Sequence, residues 1–288
     1  MIGEREPLQA SLTRAMERVG PYLRAYRVYL DPPADAETIA ATELVQREPL
    51  RHYAARAVKE WSDHPLDEDP RAAVSRLVRR YLGSLVTAAL VPLAHGVGLD
   101  TSPAKVRIVM VDDLPRGIVL DVDEVFTSSA RRSAWPVRGR DAGNLDGLRR
   151  RVLVPLFTHC AWLFDTVIAN IKVSPQLLWS TAAEQVDSLY DNAIDGPDAA
   201  LFASAATDRE LMLFGESLPG VAGPNPMRDL LYWEPSSEPA HRIEVRRVCC
   251  ANFVVPGRTQ VYCRNCDLIT PAERLVKWNE WRASGRTV

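Results

Sequence analysis

The sequence predicts an α-rich α+β protein with a small antiparallel sheet and a compact C-terminal module built around cysteines. Three observations predict it. Apolar residues recur at helical period through the first part of the 288-residue chain. Two short runs rich in β-branched and aliphatic residues, Lys105–Val111 and Gly117–Val125, flank turn-forming Asp112-Asp113-Leu114-Pro115-Arg116. Four of the five cysteines fall within 18 positions near the C-terminus.

Taken in order, Pro7–Val19 and Asp35–Trp61 carry the periodicity of surface helices. Asp69 is a suitable N-cap with Pro70 at the first helical position, opening a helix that runs to about Leu90. The hairpin follows, and then a polar, Arg-rich connection over Thr127–Gly147. Leu148–Lys172 reads as a long helix kinked at Pro155, and Ser174-Pro175 starts another that reaches about Asp191. Pro219–Pro239 holds five prolines and is expected to be a loop. His241–Val248 has the pattern of a strand that delivers the first cysteine pair, and Pro271–Arg282 that of a closing helix. The expected division is an α-rich domain over 1–240 and the cysteine module over 241–288. No repeat or low-complexity tract stands out.

A net charge of −2 and a pI near 6.2 advertise no polyanion partner, which argues against nucleic acid. The first residues lack the basic and then apolar stretch of a signal peptide, so a cytoplasmic protein is expected. Leu82–Leu99 is apolar but holds Pro92, His95 and three glycines. Val152–Ile171 is interrupted by Pro155, His159, Asp165 and Asn170. Both read as buried core helices, with no integral membrane segment expected. There is no GxGxxG, P-loop or GxSxG pattern, hence no evident nicotinamide, ATP or esterase site.

The cysteines, Cys249-Cys250 and Cys263-Arg264-Asn265-Cys266, allow three chemistries. Five cysteines in so long a chain are too sparse for a disulfide scaffold. The Cys-x-x-Cys half suits structural zinc, because a tight turn lets both sulfurs reach one ion. The vicinal pair suits zinc less, since neighbouring side chains on extended backbone point to opposite faces and need a kink to converge. A binuclear iron–sulfur cluster eases that demand by offering two irons, so the pattern leans toward iron–sulfur over zinc.

The run from Arg246 to Cys266, RRVCCANFVVPGRTQVYCRNC, resembles the C-terminal signature of the FhuF-like ferric-siderophore reductases. Both have a basic pair before a vicinal Cys-Cys and a Cys-x-x-Cys downstream. Twelve residues separate the pairs here, two more than is usual in that family, an extension that Pro256-Gly257 could absorb. Asp69–Ser75, Leu178–Ala183 (Ser-Thr standing where the family has Gly-Asn) and Gly223-Pro224-Asn225-Pro226 resemble further family segments, so the likeness spans roughly residues 70 to 270. It implies that Cys249, Cys250, Cys263 and Cys266 ligate a [2Fe–2S] cluster and that residues 241–288 form an iron–sulfur cluster module. It also implies one-electron reduction of a ferric siderophore, of hydroxamate type, with release of Fe(II) in the cytoplasm. The electron donor must then be another molecule, a ferredoxin or a reduced flavin carrier.

Other residues carry weaker signals. Arg246 and Arg247 could raise a cluster's potential or attract an anionic partner, although strand alternation leaves one of them solvated. Trp179, Tyr232 and Trp233 could line a substrate surface, since aromatic rings pack well against bulky ligands. Cys160 beside His159 reads as a small buried hydrophobe, because adjacent helical side chains do not face each other. Asp121, Asp123 and Glu124 read as a solvated strand edge. The competing functions are a zinc-stabilised binding protein without catalysis and an iron or redox sensor. A siderophore-synthetase relative is disfavoured by the missing nucleotide motif.

Overall fold

The computed structural model describes the chain apart from residues 1, 21, 22, 24, 45, 60–69, 113, 132–134, 252–261 and 286–288. The N-terminal part runs α1 (Ile2–Val19), β1 (Arg27–Tyr29), β2 (Glu37–Ala40), α2 (Ala41–Leu44), α3 (Arg47–Lys59) and α4 (Pro70–Ala94). The middle holds β3 (Val97–Leu99), β4 (Val106–Val111), β5 (Leu114–Leu120), β6 (Val125–Thr127), β7 (Arg140–Asp141), α5 (Leu145–Asn170) and α6 (Pro175–Ala193). Last come α7 (Ala199–Ser204), α8 (Ala206–Phe214), β8 (Leu231–Pro235), β9 (Arg242–Arg246) and α9 (Pro271–Ala283).

Helices α4, α5 and α6 form the centre: α4 is apolar over most of its length, α5 buries an apolar face, and α6 is buried nearly all round although it carries Glu184, Gln185 and Asp187. From Tyr81 to Ala94 every side chain of α4 is buried, and α4 packs against α3, α5, α6 and β5. Gly83 is required there: a Cβ would stand 2.0 Å from the Tyr26 ring. Ser174 caps α6 through the Gln176 amide, with Pro175 at the first helical position. By length and composition α4 and α5 could each cross a membrane, but 89% and 50% of their most apolar windows are buried within the fold, as in core helices.

The sheets are mixed, where the sequence predicted antiparallel pairing. The largest has the order β1-β5-β4-β2, with β1 parallel to β5 and the other pairs antiparallel. The predicted β4–β5 hairpin forms, but Leu114, Pro115 and Arg116, expected in its turn, belong to β5, and the register shifts where Pro115, which has no N–H, faces Met110. A second sheet, β3-β6-β7, and a third, the hairpin β8–β9, complete the set.

Four expectations need correction. Glu37–Ala40, read as helix, is an edge strand recruited by the open side of β4, and helix resumes only at α2 and α3. The proline-rich 219–239 segment contains strand β8, whose only proline, Pro235, sits at its end where a missing N–H is tolerated. β5 stops at Leu120, so Asp121 and Asp123 lie beyond the strand, and Lys105 pairs with Asp123. The connection over 127–147 contains β7. Asp69, Trp61 and Pro256-Gly257 lie outside the described residues.

A small second core holds the C-terminal part together. Ile243 and Val245 of β9 pack on Trp278 of α9, with Tyr232, Leu275 and Trp281 around them. β8 pairs with β9, so one hairpin joins residues on both sides of position 240. Thr270 and Glu273 form a reciprocal capping box that starts α9.

Candidate functional site

The cysteines converge at the end of β9. Arg247 N–H donates to Leu230 O at 2.9 Å, carrying the hairpin pairing almost to Cys249. Ala251, immediately after the vicinal pair, has φ of +60°. A non-glycine residue in that region costs about 1 kcal/mol. The second pair sits on a tight turn, with Cys266 N–H donating to Cys263 O at 3.2 Å. Arg246 N–H donates to Asn265 O at 3.1 Å and ties that turn to β9. Arg274 of α9 donates to Cys266 O at 2.7 Å and forks onto both oxygens of Glu234 at 2.9 and 2.6 Å. The turn is thus clamped between helix and hairpin.

The four thiols touch one another. Cys250 Sγ lies 3.6 Å from Cys263 Sγ, and the four thiols are near enough to shift one another's protonation. Hydrogen bonds from Cys249 and Cys263, helped by the Leu268 amide, push the Cys266 thiol down to about 3. The sharing of protons with Cys250 and Cys266 pushes Cys249 and Cys263 up.

Beside the sulfurs lies Arg246, 2% exposed and ion-paired with Glu184 of α6, itself 1% exposed. Burial lowers the Arg246 guanidinium, which the nearby cysteine sulfurs oppose, and its Nε and Nη1 have no hydrogen-bond partner. Glu184 also pairs with Arg79 of α4 at 2.8 Å and accepts from Asn265 Nδ2 at 3.2 Å. The same Asn265 amide reaches Glu244 Oε1 at 3.2 Å. Burial, then the charge of Asp187, push the Glu244 carboxyl well up, and the two side chains line one narrow crevice. Asp187 in turn accepts from Trp233 Nε1 at 2.9 Å and from Arg209 Nε at 2.7 Å. A row of neighbouring side chains therefore leads from the Cys-x-x-Cys turn to the Trp233 indole.

Of the residues singled out from sequence, the structure gathers Cys249, Cys250, Cys263, Cys266 and Arg246. Arg247 is exposed and lies over the Tyr232 ring at 4.9 Å, so alternation leaves one arginine of the pair in solvent and buries the other. Trp233 neighbours Tyr232 on β8. Trp179 stands apart in the core, 8% exposed and edge-on to Phe164 at 4.8 Å, and lines no surface at this site. Cys160 is fully buried, and burial pushes its thiol up to about 12. Its neighbour His159 is held between Tyr81 Oη at 2.8 Å and Thr101 O at 2.6 Å. Sequence reasoning missed Glu184, Asp187, Asn265 and Arg274. The usable signal was charge inside α6, a helix otherwise apolar enough to be buried.

Four sulfurs with no oxygen or nitrogen donor among them suit a thiophilic ion or an iron–sulfur cluster. Four thiolates could not share this volume without a cation, and 3.6 Å is close to the roughly 3.8 Å between two sulfurs bonded to one tetrahedral metal at 2.3 Å. The unpartnered Arg246 N–H groups fit a further acceptor beside the sulfurs. The donor set thus fits a cluster. As the thiols stand, hydrogen-bonded to each other, no group of three or more His, Cys, Asp or Glu among the described residues is arranged to hold a metal ion.

Residues 75–232, more than half of the chain, match the family described as ferric iron reductase FhuF-like transporter. The chain belongs to the FhuF family. That match ends before the cysteines, so membership in the FhuF family rests on the stretch from α4 to the start of β8 rather than on the cysteine motif. It gives this FhuF-like protein a role related to ferric-siderophore reduction. No curated protein matches the sequence. Among solved structures, aerobactin synthetase IucC from a hypervirulent pathotype of Klebsiella pneumoniae is similar over 68% of this chain, at 14% identity and a TM-score of 0.46. The similarity covers 36% of that protein's length.

Proposed function

We propose that this FhuF-like protein is a ferric-siderophore reductase whose Cys249, Cys250, Cys263 and Cys266 hold a [2Fe–2S] cluster. The observation that carries the reading is the meeting of four thiols beside a buried guanidinium with unused N–H groups. Bound there, a binuclear cluster supplies a one-electron carrier. Arg246 offers positive charge and hydrogen-bond donors toward the sulfurs, which favours the reduced state. Asn265 and Arg274 hold the Cys-x-x-Cys turn in register. A ferredoxin or a reduced flavin carrier provides the electron from outside the chain.

The substrate chemistry asks for one electron. Fe³⁺ bound by oxygen donors becomes Fe²⁺, each oxygen then binds a smaller charge, and the metal is released, on this reading into the cytoplasm. A hydroxamate substrate fits because three singly charged hydroxamates neutralise Fe³⁺, giving a complex that a protein of net charge −2 does not repel. The test is anaerobic transfer from the reduced protein to a ferric trihydroxamate, read with a ferrous chelator. The wild type should release iron and Cys263→Ser should not; equal release by both would contradict the ligand set.

One observation favours a second reading. A sulfur–sulfur distance of 3.6 Å fits a single tetrahedral zinc as well as one iron of a cluster, and zinc would staple the small core around Trp278. That protein would be colourless and would not transfer electrons.

A further inference from the structure

A cavity of about 740 Å³ lies between α6, α7, α8 and the β8–β9 hairpin. That is within the usual range for small-molecule sites. Its wall is formed by Trp233 and Phe214, whose rings lie 5.4 Å apart, and Tyr190 and Phe202 meet edge-on at 5.8 Å. Alanines of α7 and the start of α8 keep the opposite side open. Phe214 and Ile194 line it while 40% and 44% exposed, which few large apolar side chains of this chain are. Such exposure of aromatic and aliphatic surface around a concavity is the mark of a ligand seat.

Its charge narrows the ligand. Asp187, Asp191 and Glu210 face Arg209 and Arg242, so carboxylates and guanidinia nearly balance. Arg209 is already engaged, by Asp187 and by lying over the Trp233 ring at 5.4 Å. A complex carrying three negative charges would find little compensation here, whereas a neutral, bulky complex would bury well against the rings. The cavity also stands at the far end of a row of neighbouring side chains that begins at the cysteine turn: Asn265 bonds to Glu244, Glu244 and Asp187 line one narrow crevice, and Asp187 accepts from Trp233.

We infer that this cavity is the seat of the ferric complex, that Trp233 and Phe214 form its wall, and that Asp187 fastens that wall to the cysteine site. The inference rests on the reductase reading, and its test separates the two. The probe is the gallium(III) complex of a linear trihydroxamate, which has the charge and shape of the ferric complex but accepts no electron, so that binding is read apart from turnover by titration calorimetry. Ala203→Trp places a large side chain in the cavity from an exposed position, where it disturbs no core packing. Phe214→Ala removes part of the wall. The wild type should bind the probe, each variant at least tenfold more weakly with an unchanged melting temperature, and a gallium tris-catecholate should bind at least tenfold more weakly than the trihydroxamate. Wild-type affinity in both variants would overturn the cavity assignment while leaving the reductase reading intact. No binding of any hydroxamate complex by the wild type would overturn both.

Discussion

Arg246 and Glu184 form an ion pair that is out of water at both ends, with 2% and 1% of their side-chain surfaces exposed. One residue ends the strand that delivers Cys249 and Cys250; the other lies mid-way along central helix α6. Because Glu184 also holds Arg79 and Asn265, one carboxylate joins α4, β9 and the Cys-x-x-Cys turn. The cysteine site is therefore anchored to the main core rather than carried on a detached tail.

Removing that carboxylate should cost more than a surface ion pair would. Glu184→Ala leaves the buried Arg246 guanidinium uncompensated, and breaking a buried pair in this way costs about 3–5 kcal/mol. Denaturant titration should show a loss of that size. A loss below about 1 kcal/mol, the worth of an exposed pair, would mean that water reaches Arg246.

His159 should make stability depend on pH. Burial lowers it to about 4, from an ordinary value near 6.5 that the unfolded chain retains. As pH falls below 6.5 the unfolded chain takes up the proton first. The stabilisation is complete above pH 6.5 and is lost between there and pH 4, to a total of about 3 kcal/mol. Urea unfolding at pH 7.5 and pH 4.5 should show the loss in the wild type and a smaller one in His159→Gln.

Gly83 should resist a change that usually stabilises a helix. Glycine to alanine inside a helix gains about 1 kcal/mol, but here the added methyl meets the buried Tyr26 ring. Overpacking of this kind costs about 1–3 kcal/mol. Gly83→Ala should melt lower than the wild type, and combining it with Tyr26→Leu should recover part of the loss, a coupling that a double-mutant cycle measures.

The five cysteines should divide into two classes. Cys160→Ala removes a small buried side chain from α5 and should cost about 1 kcal/mol, leaving bound iron and sulfide unchanged. Cys263→Ser should lose most of both. Metal and sulfide analysis of the two purified variants checks this, and equal loss in both would point to misfolding rather than to a lost ligand.

Local chemistry made much of this legible in sequence. Ser174-Pro175 and Thr270-Pro271 carry their capping geometry in the residues themselves, and the β4–β5 hairpin is written in its aliphatic runs and its turn. The gathering of the four cysteines followed from spacing. What was not legible depends on partners distant in sequence. Glu37–Ala40 is a strand because β4 offers it an edge, and Leu231–Pro235 is a strand because β9 lies beside it. Trp179 looked available for a ligand, yet it is turned toward Phe164 by the packing of α5 on α6. Glu184 escaped notice because a carboxylate in a helix that also carries Asp187 and Asp191 declares its role only when Arg79 and Arg246 arrive from other elements.

The central claim is that the four thiols hold a [2Fe–2S] cluster able to pass on an electron. The most direct measurement is an anaerobic absorption spectrum of the purified protein, with iron, sulfide and zinc counted on the same sample. Equal iron and sulfide, with visible bands that bleach under dithionite and return on adding a ferric hydroxamate complex, is the predicted result. Zinc without sulfide, in a colourless protein, would contradict it and leave a structural metal site.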